Sequence, residues 1–213
     1  MAIRLGSVNP NAFRVGTQTP SRIFLGNDLV WPAFTPQEQI FNVVGAYTYN
    51  IPANCRFIDV ILLGGGGGGK GLGLIGLWGE GGKAGTWQAF TLQRGVHIPW
   101  SATQIVGQIG AGGAQSNTSG GNGGSGEPTT AVVPVFGTVA AAGGDGGTQQ
   151  NLDTPGKSPG NITHNGRTYV GGAQQNSPQT AGNPPGGGGG GATITFGRGG
   201  AGARGQAWFY AYI

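Results

Sequence analysis

An all-β fold, a sandwich or jelly-roll-like domain with long glycine-rich loops, is what this sequence predicts, on three observations. Short alternating apolar runs recur through residues 37–213, separated by turn-rich stretches, and no window carries a helical period. The 213 residues include 49 glycines and 13 prolines without a G-X-Y repeat, which excludes a collagen-like chain. Two six-glycine runs, Gly64 to Gly69 and Gly186 to Gly191, abut strand-like stretches inside the domain, where a flexible linker would have no place.

The chain divides at about residue 36. Residues 1–36 hold short apolar pieces punctuated by Asn9-Pro10, Thr19-Pro20 and Trp31-Pro32. Within them, Ile23 to Trp31 reads as a hairpin with a three-residue Gly26-Asn27-Asp28 turn. A lone hairpin is marginal in water, so this arm is expected to dock on the following domain or on another protein. Ile23, Phe24, Leu25, Leu29 and Trp31 are its candidate docking residues.

From Gln39 the expected strands are 40–44, 47–51, 56–63, 86–92, 104–109, 131–140, 168–170, 192–196 and 206–213. The stretches 64–85, 110–126, 143–161, 171–191 and 197–205 are expected as loops of Gly, Asn, Gln and Ser. Fixing six glycines costs on the order of 6–12 kcal/mol at about 1–2 kcal/mol per residue. Ordered runs could offset that as threefold, polyglycine II helices of the polyproline II type, whose outward N–H and C=O groups bond to neighbours that missing side chains let come close. The alternative is a pair of mobile loops, and the sequence leaves both open.

Only 8% of the residues are charged, against about 25% in an average soluble domain. Such a surface suits a particle component or an extracellular scaffold. The net charge of +4 comes from few acids, and the lysines and arginines are scattered, so no nucleic-acid groove is expected. Cys55 alone cannot build a disulfide framework and is expected as a small buried hydrophobe at the start of a strand. The residues after Met1 lack the apolar core of a secretion signal, and no 18-residue apolar window predicts membrane insertion.

Motif matches fail where the chemistry matters. Gly64 to Lys70 fits the spacing of a phosphate-binding loop, but residue 71 is Gly where a Ser or Thr would hold magnesium, and no helix start follows. Gly71-x-Gly73-x-x-Gly76 likewise lacks a following helix and a later acidic residue. His97 and His164 stand apart in the sequence, and no carboxylate pair or nucleophile-base set can be argued. The expectation is a non-enzymatic chain with no cofactor and no metal. Leu72, Leu74, Ile75, Leu77 and Trp78 form an apolar stretch inside the first long loop. It is a candidate contact loop, although folding back onto a thin core is the commoner fate of such residues.

The block Tyr47-x-Tyr49-x-Ile51-Pro52-Ala53, then Phe57 to Leu63 and poly-Gly, resembles the opening of the glycine-rich domain of bacteriophage minor tail proteins. Gly197 to Tyr210 looks like its closing strand, and Arg22 to Pro32 is similar to the leader of tail proteins from phages of actinobacteria. The resemblance implies a virion tail component, at the tip or in a fibre, assembled in the host cytoplasm. Its partners would be other phage tail proteins, two further copies in a homotrimer, and a host cell-surface receptor. The rival reading is a non-viral glycine-rich binding scaffold such as an ice-binding protein, which would want regular repeats that are absent.

Overall fold

The structure is a computed structural model that describes residues 14–18, 20, 22–26, 28–31 and 34–213. Among them there is no α-helix. The arm contributes β1 (Ile23–Leu25) and β2 (Asp28–Trp31). The domain contributes β3 (Gln37–Phe41), β4 (Gly45–Asn50), β5 (Phe57–Leu63), β6 (Trp87–Gln93), β7 (Gln104–Ile109), β8 (Thr129–Val133), β9 (Gly137–Ala141), β10 (Ile162–His164), β11 (Arg167–Tyr169) and β12 (Gln206–Tyr212). Two antiparallel four-stranded sheets, ordered β3-β12-β5-β6 and β4-β7-β8-β9, face each other. Alternation aims Tyr47, Tyr49, Ile105, Ile109 and Ala131 from one sheet at Ile58, Val60, Leu62, Leu92 and Phe209 from the other. The Phe209 ring stacks on Tyr49 at 4.2 Å and meets Tyr47 and Phe41 edge-on. Cys55 is buried at the mouth of β5, as expected, its Sγ 3.2 Å from the Pro52 carbonyl.

The expected glycine-rich loops are instead an ordered bundle, and segment 64–72 is its axis. Its N–H groups rotate among three neighbours with a period of three. Residues 64, 67 and 70 donate to Thr86, Lys83 and Glu80; residues 65, 68 and 71 to Glu127, Gly124 and Gly121; residues 66, 69 and 72 to Ala203, Gly200 and Gly197. The axis carbonyls accept from three further segments, through Gly113, through Gly144 and Gly147, and through Gly189 and Ala192. A threefold rotation of donors is the signature of a polyproline II-type helix, and six neighbours around one axis make a hexagonal array.

The ring of six also closes on itself. Gly82 donates to Gly189, Ala203 to Gly187, Gly202 to Gly113, Gly124 to Ala114, Gly126 to Gly144 and Lys83 to Asp145. Neighbours that accept from the axis run against it, and those that donate to it run with it. The sandwich dictates this alternation: β5, β7 and β9 run out into segments 64–72, 110–116 and 142–150, while 79–86, 121–127 and 197–205 return into β6, β8 and β12. The seventh member, 186–192, has no strand of its own and completes the ring between two returning segments. Gly64 to Gly69 are all buried, and a Cβ on Gly66 would fall inside the carbonyl of Gly187. No residue but glycine fits there.

Four expectations are corrected. Residues 192–196 are not a strand: Ala192 finishes its segment by donating to Lys70, and the chain reverses through Phe196 at φ +61°, with Ile194 exposed. Their β-branched side chains suit a strand, but among the described residues no sheet edge lies at that end of the bundle. Residues 131–140 form the hairpin β8-β9, reversed through Val135 at φ +68°. The arm hairpin turns through two residues, since Asp28 already pairs with Leu25. Finally, β10 pairs with β11 around Asn165 and Gly166, both at positive φ, and that Asn-Gly dipeptide is the signal that announces it.

Candidate functional site

Five turns meet at the end of the bundle farthest from the sandwich: residues 72–78, 116–121, 149–152, 176–179 and 193–197. Leu72 N–H bonds to Gly197 O, Gly71 N–H to Gly121 O, Asn151 N–H to Trp78 O and Gln179 N–H to Gly191 O, so the turns are tied together as one apex. Lys70 secures it from below. Its buried side chain donates from Nζ to Asn122 Oδ1 at 2.7 Å and to Gly120 O at 3.1 Å. Glu80, also buried, takes Lys83 Nζ at 2.6 Å and the amides of Thr148 and Gln149 at 3.1 and 3.2 Å. Burial alone would raise this carboxyl, but the Lys83 and amide bonds together outweigh it and hold Glu80 below the usual carboxylate range.

The candidate contact loop splits at this apex. Leu72 is 6% exposed and belongs to the packed bundle, a correction to its place among the contact residues. Leu74, Ile75, Leu77 and Trp78 stand in solvent, with Ile75 84% exposed. The structure sets beside them Leu152, Ile194 and Phe196, each more than half exposed, from two other turns. Sequence reading missed these three because they are distant in the chain and two were assigned to a strand. None of the five turns carries a charged residue.

The opposite end of the molecule has a different chemistry. Trp100 lies between Arg94 and Arg22, whose guanidinium carbons are 4.7 and 5.0 Å from its ring centre, and Phe24 meets it edge-on at 5.2 Å. Arg94 is buried and donates to the carbonyls of Pro52, Ala53, Trp100 and Ala102. Arg22 donates to Ala53 O at 2.8 Å, so the arm hairpin rests on its own domain. Ile23 and Trp31 are half-buried, Leu25 is exposed, and the Leu29 side chain lies outside the described residues. A cavity of about 340 Å³ opens here between Phe24, Gly26, Val96 and Trp100.

The β10-β11 hairpin covers the outer face of the first sheet, packing Tyr169 and Ile162 on Trp87, Trp208, Ile61 and Leu63. Beneath it Asp59, fully buried, accepts from Thr91 Oγ1 at 2.7 Å and Asn165 Nδ2 at 2.9 Å, with His164 Nε2 3.6 Å away. His164 is therefore not isolated in the fold, although it stands alone in the sequence. Among the described residues no three His, Cys, Asp or Glu side chains gather as metal ligands, and no helix is long and apolar enough to cross a membrane.

Fold and apex together define a class: a β-sandwich whose strand ends continue into a hexagonal polyglycine bundle capped by apolar turns. The chain belongs to the glycine-rich domain family, whose model matches residues 42–212. It is 56% identical over 195 residues to the Gene 32 protein of Mycobacterium phage L5, covering 90% of this chain and 89% of that protein. It is 53% identical over 205 residues to the Gene 32 protein of Mycobacterium phage D29, covering 90% of each. This is a phage protein built on a glycine-rich domain. The family match stops short of the arm and of β3, so those parts lie outside the shared domain.

Proposed function

We propose that the chain is a structural component of the phage tail, at the tip or in a fibre, that is held in the virion at its arm end and projects the glycine bundle outward for assembly or host-surface attachment. The observation that carries this reading is the polarity of the molecule. The arm, the Arg-aromatic cluster and the cavity occupy one end, and a hydrogen-bonded rod lifts seven exposed apolar side chains to the other. Aromatic and arginine side chains are enriched at protein interfaces, which suits the arm end to other tail proteins. An exposed apolar cluster marks a contact surface. The chain works without catalysis or cofactor, as a scaffold.

The outer face of the β4-β7-β8-β9 sheet supports assembly as a homotrimer. Ala46, Thr48, Val106, Gln108, Val132, Thr138 and Ala140 are exposed there without a charge among them, and closed symmetry is the usual way to bury such a face. Gold-labelled antibody against this chain should decorate the tail end in electron micrographs of particles. Labelling confined to the capsid overturns the reading. Removing residues 1–36 should leave a folded domain that no longer enters particles, and normal incorporation would rule out anchoring by the arm. Light scattering should give three times the chain mass, and a stable monomer at micromolar concentration refutes the trimer.

A further inference from the structure

The bundle is thickened on one side only. Outside segment 186–192 the chain lays two more extended stretches: Gly188 and Gly191 donate to Lys157 and Thr154, and Gly187 and Gly190 to Asn183 and Thr180. Lys157 N–H also donates to Gly82 O, so residues 153–157 fill the groove between 186–192 and 79–86. The same groove recurs between 142–150 and 121–127. A Cβ on Gly188 would fall inside the Gly82 carbonyl, and one on Gly146 or Gly143 would likewise fall inside that of Gly123 or Gly126. Here no described residue takes the part of Lys157. The amides of Gly143 and Gly146 and the carbonyls of Gly123 and Gly126 have no hydrogen-bond partner among the described residues. Backbone groups in packed regions are rarely left unpaired, and an open row of them is a template for another chain, as at a sheet edge.

Whatever fills this groove must bring N–H and C=O groups at a three-residue spacing and run against 142–150, as 153–157 runs against 186–192. Segment 121–127 of a second copy meets both demands. Its amides rotate with period three: Gly124 and Glu127 donate to Ala114 and Ala111, Gly123 and Gly126 to Gly147 and Gly144, which leaves Asn122 and Ser125 directed away from the axis. Both residues are exposed, and their backbone amides and carbonyls have no hydrogen-bond partner among the described residues. Segment 121–127 already runs against 142–150 in its own chain, so copies related by a threefold axis parallel to the bundle present it in the required direction. The groove also continues the uncharged sheet face, because its two walls lead into β8 and out of β9. We infer that three copies merge their bundles into one hexagonal array, segment 121–127 of each seated in the 121–127/142–150 groove of the next. There the amides of Asn122 and Ser125 donate to the neighbouring copy's Gly123 and Gly126 carbonyls, and their carbonyls accept from its Gly143 and Gly146. The inference rests on the homotrimer proposed above and names the backbone surface that joins it.

Sedimentation of the full chain over a range of concentrations tests it. In the merged array the three 121–127 segments meet at the threefold axis, so Ser125→Glu sets three like charges against one another. The Ser125 side chain is exposed and its hydroxyl bonds to no described residue, so the variant should keep the wild-type circular dichroism. The concentration at which half the chains are trimeric should rise at least tenfold. Ala173→Glu, exposed on the thickened side of the bundle, should assemble like wild type. Amide exchange reads the bonds themselves: the amides of Asn122, Ser125, Gly143 and Gly146 should exchange slowly in the wild-type trimer and fast in the Ser125→Glu monomer. A trimer that Ser125→Glu leaves equally stable, or a wild-type trimer in which these four amides exchange fast, overturns the groove and leaves the trimer standing. Wild-type protein that sediments as a monomer at micromolar concentration overturns both.

Discussion

Between the sheets of the sandwich, large side chains such as Phe209, Ile58, Leu62 and Leu92 are fully buried, whereas in the bundle the buried positions Gly64 to Gly69 have no side chains. The sandwich is held by apolar area removed from water and tolerates exchange of one hydrophobe for another of similar volume. The bundle holds no apolar core along its axis. Each hydrogen bond contributes about 0.5–1.5 kcal/mol net, which offsets an ordering cost of similar size per residue. The arrangement survives only because every axis amide is bonded and every segment touches its neighbours. One region is specified by what its side chains are, the other by their absence.

The sharpest way to break this contrast is to put a side chain on the axis. Gly66→Val places a branched group against the Gly187 backbone, which cannot rotate aside as a core side chain can. The loss should exceed the upper end of ordinary overpacking, about 3 kcal/mol, read as a large drop in melting temperature. A neutral or slightly stabilised variant would mean that the run is slack, since restricting a free chain helps by up to about 1 kcal/mol. Phe209→Ala is the matching cut in the sandwich and should cost about 3–5 kcal/mol.

Calorimetry separates the two forces more gently. Unfolding the bundle exposes mostly peptide groups, which lower heat capacity, so the whole chain should fall below the usual 12–15 cal/mol/K per residue. A value within or above that range would imply an apolar core larger than the sandwich provides. Amide exchange adds detail at the residue level. The amides of residues 64–72 should exchange nearly as slowly as those of β5 and β12, while residues 73–77 exchange fast. Uniformly fast exchange across 64–72 would show that the hydrogen-bonded axis does not persist in solution.

The smallest expected effect is electrostatic. Glu80 is held below the ordinary carboxylate range in the folded chain. Its contribution is therefore complete above the unfolded carboxyl value and is lost as pH falls through the folded one. Between neutral and acid pH, wild-type protein should lose more melting temperature than Glu80→Gln, which has no charge to lose. Parallel curves for the two proteins would show that the Glu80 cluster does not couple to stability.

The strands β4, β5, β6, β7 and β12 were legible because each alternates or runs apolar within a few residues, a signal local to the chain. Residues 192–196 carry the same local signal and misled, because a strand needs an edge to pair with and, among the described residues, none lies at the apex. By itself the sequence determined an all-β class, a weakly charged surface, the burial of Cys55 and the special standing of the two glycine runs. Composition and short-range periodicity suffice for these. Tertiary structure alone decided that the runs are ordered, that segments far apart in sequence ring one axis, that Leu72 is buried while Ile75 is not, and that Leu152, Ile194 and Phe196 join the apex. A glycine run is compatible with slack or with close packing, and only neighbours within hydrogen-bonding distance on all sides turn it into structure.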